Sequence, residues 1–147
     1  MRKVNTLRFG EIEIDEKKIL HFKEGIPAFE EEHEFILIPF EDDSPFIFMQ
    51  SLKTPELAFL ITSPFIFFPD YTFEIGDAAT DALKAKERED LAIYSILTVP
   101  NGEIKKMTAN LLAPLIINSK NNEAMQLVLD KSPYQTKHAL FSEKEGA

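Results

Sequence analysis

A histidine can bind a metal or relay a proton only beside a suitable partner, and the three here, His21, His33 and His138, lie far apart. None has a second histidine or a carboxylate at ligand spacing on a predicted helix, so no metal centre is expected. The chain has no cysteine, which excludes a disulfide framework, a thiolate metal site and a thiol nucleophile. The acidic runs Glu30, Glu31, Glu32 and Glu41, Asp42, Asp43 lack the alternating Asp/Asn spacing and the glycine of a calcium loop, and read as solvated loops. A phosphate cradle needs closely spaced glycines, whereas the five here stand at 10, 25, 76, 102 and 146. No nucleophile elbow surrounds any serine, and nothing points to a Ser-His-Asp triad built from distant segments. Carboxylate pairs for acid/base work are uninformative in a chain with 25 acidic residues. No catalytic residue and no cofactor follow from these patterns.

Two segments mix side chains in a way that a plain core strand does not. In SPFIFFPDYTFEI (63–75), aromatic residues on both sides of Pro69 and Asp70 suggest a stiff strand-turn-strand with a tyrosine near its tip. Rigid aromatics beside an acid can anchor a protein partner, although Phe65, Phe67, Phe68, Tyr71 and Phe73 also suit the core of two strands. Asp70 and Tyr71 carry the functional reading of this segment. In LDKSPYQTKHAL (129–140), Tyr134, Thr136 and His138 recur at a spacing of two and would share one face of an extended chain. Tyr134 serves either as a contact or as a plug that closes a barrel end with its hydroxyl bonded to backbone.

The elements that position these residues read as mainly β. Apolar blocks of strand length recur as FILIPF (35–40), FIFMQSL (46–52), LAFLIT (57–62), FIFF (65–68), LAIYSILTV (91–99), LLAPLII (111–117) and MQLVL (125–129). Proline at or beside most block ends does little harm to a sheet edge but would break a long helix. Thirteen phenylalanines and no tryptophan imply a Phe-built core, and closely spaced strands favour a barrel or sandwich. Leu7 and Phe9 are odd-numbered while Ile12 and Ile14 are even, which predicts a change of inward parity, by a tight turn or bulge, across Gly10. One short surface helix is expected around 77–88, with Asp77 as its N-cap and a thin stripe of Ala79, Ala82 and Leu83. A single domain over 1–140 and a frayed polar tail over 141–147 follow.

With 25 acidic and 16 basic residues the formal net charge is −9, which repels phosphate backbones and attracts basic partners. Direct nucleic-acid binding is disfavoured, since the pairs Lys17, Lys18 and Lys105, Lys106 are brief and lie among acids. No stretch has the length of a membrane span and the N-terminal residues lack a signal-peptide core, so a cytoplasmic protein without membrane association is expected. A monomer is expected when no partner is bound. The rival readings are a small β-barrel enzyme or ligand-binding barrel, and an RNA binder.

The chain resembles the flagellar assembly factor family, FliW. The resemblance runs in order through TLRFGEIEI (6–14), ILHFKEGIPAFE (19–30), SPFIFMQSLKTPELAFLIT (44–62), SPFIFFPDYTFEI (63–75), LAIYSILTVP (91–100), MTANLLAPLIIN (107–118) and LDKSPYQTKHAL (129–140). It implies a single antiparallel β-barrel-like domain without enzymatic activity. Proteins similar to this bind newly made flagellin near its terminal helical region, and also bind the carbon storage regulator, an RNA-binding translational repressor. Export of flagellin would then free the protein to capture the regulator and relieve repression. The family offers no catalytic residue to carry over. The residues expected to contact partners are Pro69, Asp70, Tyr71, Asn110 and Tyr134, with Phe48 and Glu56 from the central strands; Asn110 could equally satisfy a turn.

Overall fold

The apolar blocks alternate their side chains between two faces, and both faces are used. In a computed structural model that describes residues 2–129 and 132–141, with Arg88 described by its backbone only, eleven strands form. They are β1 (Arg2–Thr6), β2 (Gly10–Ile14), β3 (Leu20–Phe22), β4 (Glu34–Pro39), β5 (Phe46–Ser51) and β6 (Ala58–Thr62). After them come β7 (Leu91–Thr98), β8 (Thr108–Ala109), β9 (Leu115–Asn118), β10 (Glu123–Gln126) and β11 (His138–Ala139). Strands β4 to β7 run as an antiparallel meander, and the first half of β7 pairs with β9, which closes the ring β7-β6-β5-β4-β3-β10-β9. The expected antiparallel barrel is present, with one exception: β3 and β10 pair in parallel, through Glu123 beside His21 and Ala124 beside Phe22.

One residue set drawn from all seven strands fills the interior. Leu20, Phe22, Phe35, Met49, Ile61, Leu115, Ile117 and Ala124 are buried together, with Leu37, Ile47, Phe59, Tyr94 and Ile96 packed against them. The Phe22 and Phe35 rings meet edge to face at 5.3 Å, the arrangement that aromatic quadrupoles favour. Each such phenylalanine contributes about 1.5–3 kcal/mol by leaving water. The opposite parity points outward and is covered by two separate layers. The β1–β2 hairpin lays Val4, Ile12 and Ile14 over Ile36 and Ile38 of β4. The aromatic residues of 67–73 and the last described segment cover Phe46, Leu60 and Leu97.

Several expectations are corrected by these elements. The block FIFF is not a strand: Pro64–Phe67 forms one helical turn, α1, with Ser63 as its N-cap residue and proline at its first position. Proline suits that position because its missing N–H has no helical partner to lose. Residues 71–76 follow without regular structure, so 63–75 is not a strand-turn-strand. The second helix, α2, spans only Asp77–Ala82, and its N-cap is Gly76, not Asp77. It stops where Lys84 turns left-handed at φ 55°, and only Ala79 and Leu83 of the expected stripe are buried. Inward parity does not change at Gly10. Val4, Thr6, Ile12 and Ile14 are all even and all at least half-buried, while Leu7 lies in the turn at 77% exposure. Gly10, at φ 68°, supplies the tight turn, and the Thr6 hydroxyl donates to its carbonyl at 2.9 Å. The blocks 111–117 and 125–129 yield strands only at 115–118 and 123–126.

The acidic runs also divide. Glu41, Asp42 and Asp43 are exposed, as are Glu30 and Glu31, but Glu32 is buried and accepts hydrogen bonds from the Ser51 and Thr54 hydroxyls. Of the expected tail, Phe141 sets its ring edge against Phe67 at 6.0 Å, and 142–147 lie outside the described residues. Among the described residues no helix is long and apolar enough to cross a membrane.

Candidate functional site

The helical turn α1 sends the chain back over the outer face of the barrel and puts Pro69 and Asp70 at the surface. The next residue goes the other way. Tyr71 is 4% exposed, and its hydroxyl donates to the Leu111 carbonyl at 2.7 Å. Burial, and then the neighbouring Tyr134, push its phenol well above the ordinary tyrosine range, so it stays neutral at physiological pH. The expectation of an exposed tyrosine tip is thus corrected: Tyr71 is the floor of the site, because a helical turn in place of a strand rotates it inward.

Tyr134 stands against that floor, its ring 4.7 Å from Tyr71 and nearly perpendicular to it. Its hydroxyl accepts the backbone N–H of Thr72 at 3.0 Å, so it ties the last segment to the chain after Asp70. His138 follows at 6.1 Å from Tyr134 and 6.0 Å from Phe68. The His138 Nε2 accepts from the Gln135 N–H at 2.8 Å, which leaves Nδ1 to carry the proton of the neutral ring. Thr136, expected on the same face, is exposed and joins none of these contacts. Phe67, Phe68, Pro69, Asp70, Tyr134 and His138 line a groove of about 420 Å³, with Tyr71 and Leu111 below.

Asn110 lies under this groove and not in it. Its Oδ1 accepts the N–H groups of Leu112 and Ala113 at 3.1 and 3.0 Å, the turn-forming alternative. That turn presents the Leu111 carbonyl to Tyr71, so Asn110 positions the floor. Beside the groove, α1 exposes Phe65 at 42% and Ile66 at 57%, and Phe141 lies 37% exposed on Phe67.

Phe48 and Glu56 belong to another place. Phe48, 8% exposed on the outer face of β5, lies under the Arg8 guanidinium at 4.6 Å and between Phe9 and Phe40. It is a platform for the hairpin tip, and the ligand it already has is Arg8. Glu56 is exposed in the loop joining β5 to β6. That loop is held by Gln50, whose Nε2 lies 3.0 Å from the Ser51 carbonyl and 3.1 Å from those of Pro55 and Leu57. The Leu7 N–H donates to Pro55 at 2.8 Å and docks the hairpin tip to the same loop. Sequence reading missed Arg8, Phe40, Gln50 and Glu32 here; a buried acid among three glutamates leaves no periodic signal.

Chemically, the groove offers aromatic faces, one carboxylate and amide-type hydrogen bonds. Among the described residues no group of three or more His, Asp or Glu is arranged to hold a metal. The arrangement suits contact with another macromolecule more than bond-making.

The closed ring with an aromatic layer on one outer face is the fold of a flagellar assembly factor: a crystal structure of the flagellar assembly factor FliW superposes with a TM-score of 0.90 at 41% identity, over 97% of this chain and 99% of that one. The chain belongs to the FliW family, whose profile, described as FliW protein, matches residues 3–140. The flagellar assembly factor FliW of Alkaliphilus metalliredigens is 45% identical over 95% of this chain and 86% of its own length. That of Geobacillus kaustophilus is 44% identical over 97% of each. That of Moorella thermoacetica is 41% identical over 95% of this chain and 89% of its own.

Proposed function

We propose that the protein is a non-enzymatic assembly factor that works in the cytoplasm by stoichiometric capture of two partners, flagellin and the carbon storage regulator. Flagellin would be held near its terminal helical region before export, and the freed protein would then take up the regulator and relieve repression of translation. The observation that carries this reading is the aromatic groove with Asp70 on its rim. It joins rigid, partly exposed rings to a negative charge on a molecule of net charge −9. A basic RNA-binding protein is drawn to such a surface, and a negative field beside the bound regulator repels incoming RNA. The finding that relatives are named flagellar assembly factors supports the choice of flagellin.

Purified protein should recover both partners from lysate, and each should displace the other. Asp70→Lys should weaken capture of the regulator without unfolding the chain, and the loss should shrink as salt rises. Recovery of neither partner would remove the proposal, and unchanged affinity in Asp70→Lys would remove the groove from it.

A further inference from the structure

Among the described residues the far end of β10 keeps an uncovered strand edge. On its β9 side, β10 is bonded beyond its own end: the Leu127 N–H donates to the Pro114 carbonyl at 2.9 Å and the Leu129 N–H to the Leu112 carbonyl at 2.8 Å. On its other side the parallel pairing with β3 covers Glu123 and Ala124 and then stops. Backbone groups alternate along an extended chain, so with 127 and 129 turned to one side, Gln126 and Val128 turn to the other. Among the described residues no group accepts the Val128 N–H.

That edge faces a slot. Across it runs the irregular chain of Thr72, Phe73 and Glu74, with a groove of about 410 Å³ between. Toward β3 a second groove of about 430 Å³ continues past Met125 and Gln126. Natural proteins blunt an open edge with lysine, proline or a bulge. Here the edge residues Met125, Leu127 and Val128 are apolar and at least partly exposed, Val128 at 50%. A helix keeps its backbone bonds to itself and has no use for a free N–H, whereas an extended chain adds to such an edge as one more strand. Among the described residues the two grooves are walled by Glu24, Glu30, Glu74 and Glu123 against a single base, Lys23, which favours a cationic occupant.

We propose that the open edge of Gln126 and Val128 is a docking site for an extended, basic peptide segment of a partner protein, taken up as an added strand with alternating apolar and cationic side chains. The site borders the aromatic groove, since Tyr134 walls both, but its recognition rests on backbone bonds in place of aromatic contact.

The probe is a capped octapeptide of alternating valine and lysine, titrated into the full chain at low salt. Binding should protect the Val128 amide from hydrogen exchange and shift its resonance. Methylating the peptide's backbone nitrogens at alternate residues should weaken binding about tenfold, as should V128P, while V128T should bind as the parent does. Equal binding by both methylated peptides, one for each register, by V128P, or by the valine–glutamate counterpart would overturn the proposal, as would an unprotected Val128 amide. The methylated peptides remove the companion bonds, those from the peptide N–H groups to the edge carbonyls, and leave the protein untouched, so the result stands whether or not V128P disturbs the fold. The peptide reads the edge alone, and flagellin and regulator capture by D70K reads the aromatic groove, so either idea can fail without the other.

Discussion

The two layers on the outside of the barrel are built by opposite means. The β1–β2 hairpin is a regular ladder of five register pairs, from Arg2 opposite Ile14 to Thr6 opposite Gly10, and contributes aliphatic side chains to its contact with β4. The aromatic layer has almost no ladder; among the described residues its only strand pairings beyond β7 are those of the two-residue β8 and β11. Its segments are held by side chains that reach backbone groups: Tyr71 to Leu111, Thr72 to Tyr134, and Leu112 and Ala113 to Asn110. Where a ladder satisfies the backbone, one residue is replaceable. Where single hydroxyls and amides do so, the loss of one leaves a buried group unpaired, and the same irregularity leaves grooves and an edge open to partners.

Substitutions test this contrast directly. Tyr71→Ala should cost about 3–5 kcal/mol in urea denaturation, because it removes a buried ring and strands the Leu111 carbonyl; a loss no greater than that of a hairpin substitution would end the comparison. Tyr71→Phe keeps the ring and should cost about 1–2 kcal/mol. It also has a signature in pH. The folded chain holds the Tyr71 proton more tightly than the unfolded chain, where the pKa is about 10. Above that pH the unfolded state has lost a proton that the folded state keeps, so stability should be level below about pH 10 and fall as pH rises beyond it. Tyr71→Phe should lack that component of the fall, and identical alkaline profiles would contradict the buried phenol. In the hairpin, Ile14→Val should cost only about 1 kcal/mol, by one lost methylene. Asn110→Ala should cost about as much, but with chemical-shift changes that spread to Leu111 and Tyr71, which Ile14→Val should not produce. Asp70→Lys, at the rim, should move stability by no more than about 0.5 kcal/mol while altering partner affinity.

The same contrast explains what was legible in the sequence. FILIPF, FIFMQSL, LAFLIT and LAIYSILTV are ladder-built, and they became β4 to β7 because their apolar runs match strand period and length. FIFF has the same composition but is a helical turn. Four apolar residues cannot separate the two periods, and the usable signal was Ser63 followed by Pro64, a helix start. Once that turn is misread, Tyr71 lands on the wrong face, and so a tyrosine placed at a tip is found under a groove. The grouping of Pro69, Asp70, Tyr71 and Tyr134 was nonetheless reachable, since aromatic and polar residues mixed in both segments. The spacing of Tyr134 and His138 was legible too, but the contact of His138 with Phe68, and the split that sends Phe48 and Glu56 to the hairpin tip, depend on contacts between distant segments that no local pattern encodes.

Strand β7 has three neighbours along its length: Leu91 to Tyr94 lie beside β9, Ser95 and Ile96 beside β6, and Leu97 and Thr98 beside β8. The ring therefore cannot shut until residues 115–126 exist. On the ribosome the meander of β3 to β6 emerges first and waits several seconds, at the usual pace of synthesis, with both flanks unpaired. Nascent chains interrupted in that interval would be sticky half-barrels, prone to aggregate or to be degraded, so the yield of this protein should depend on how steadily its last third is translated.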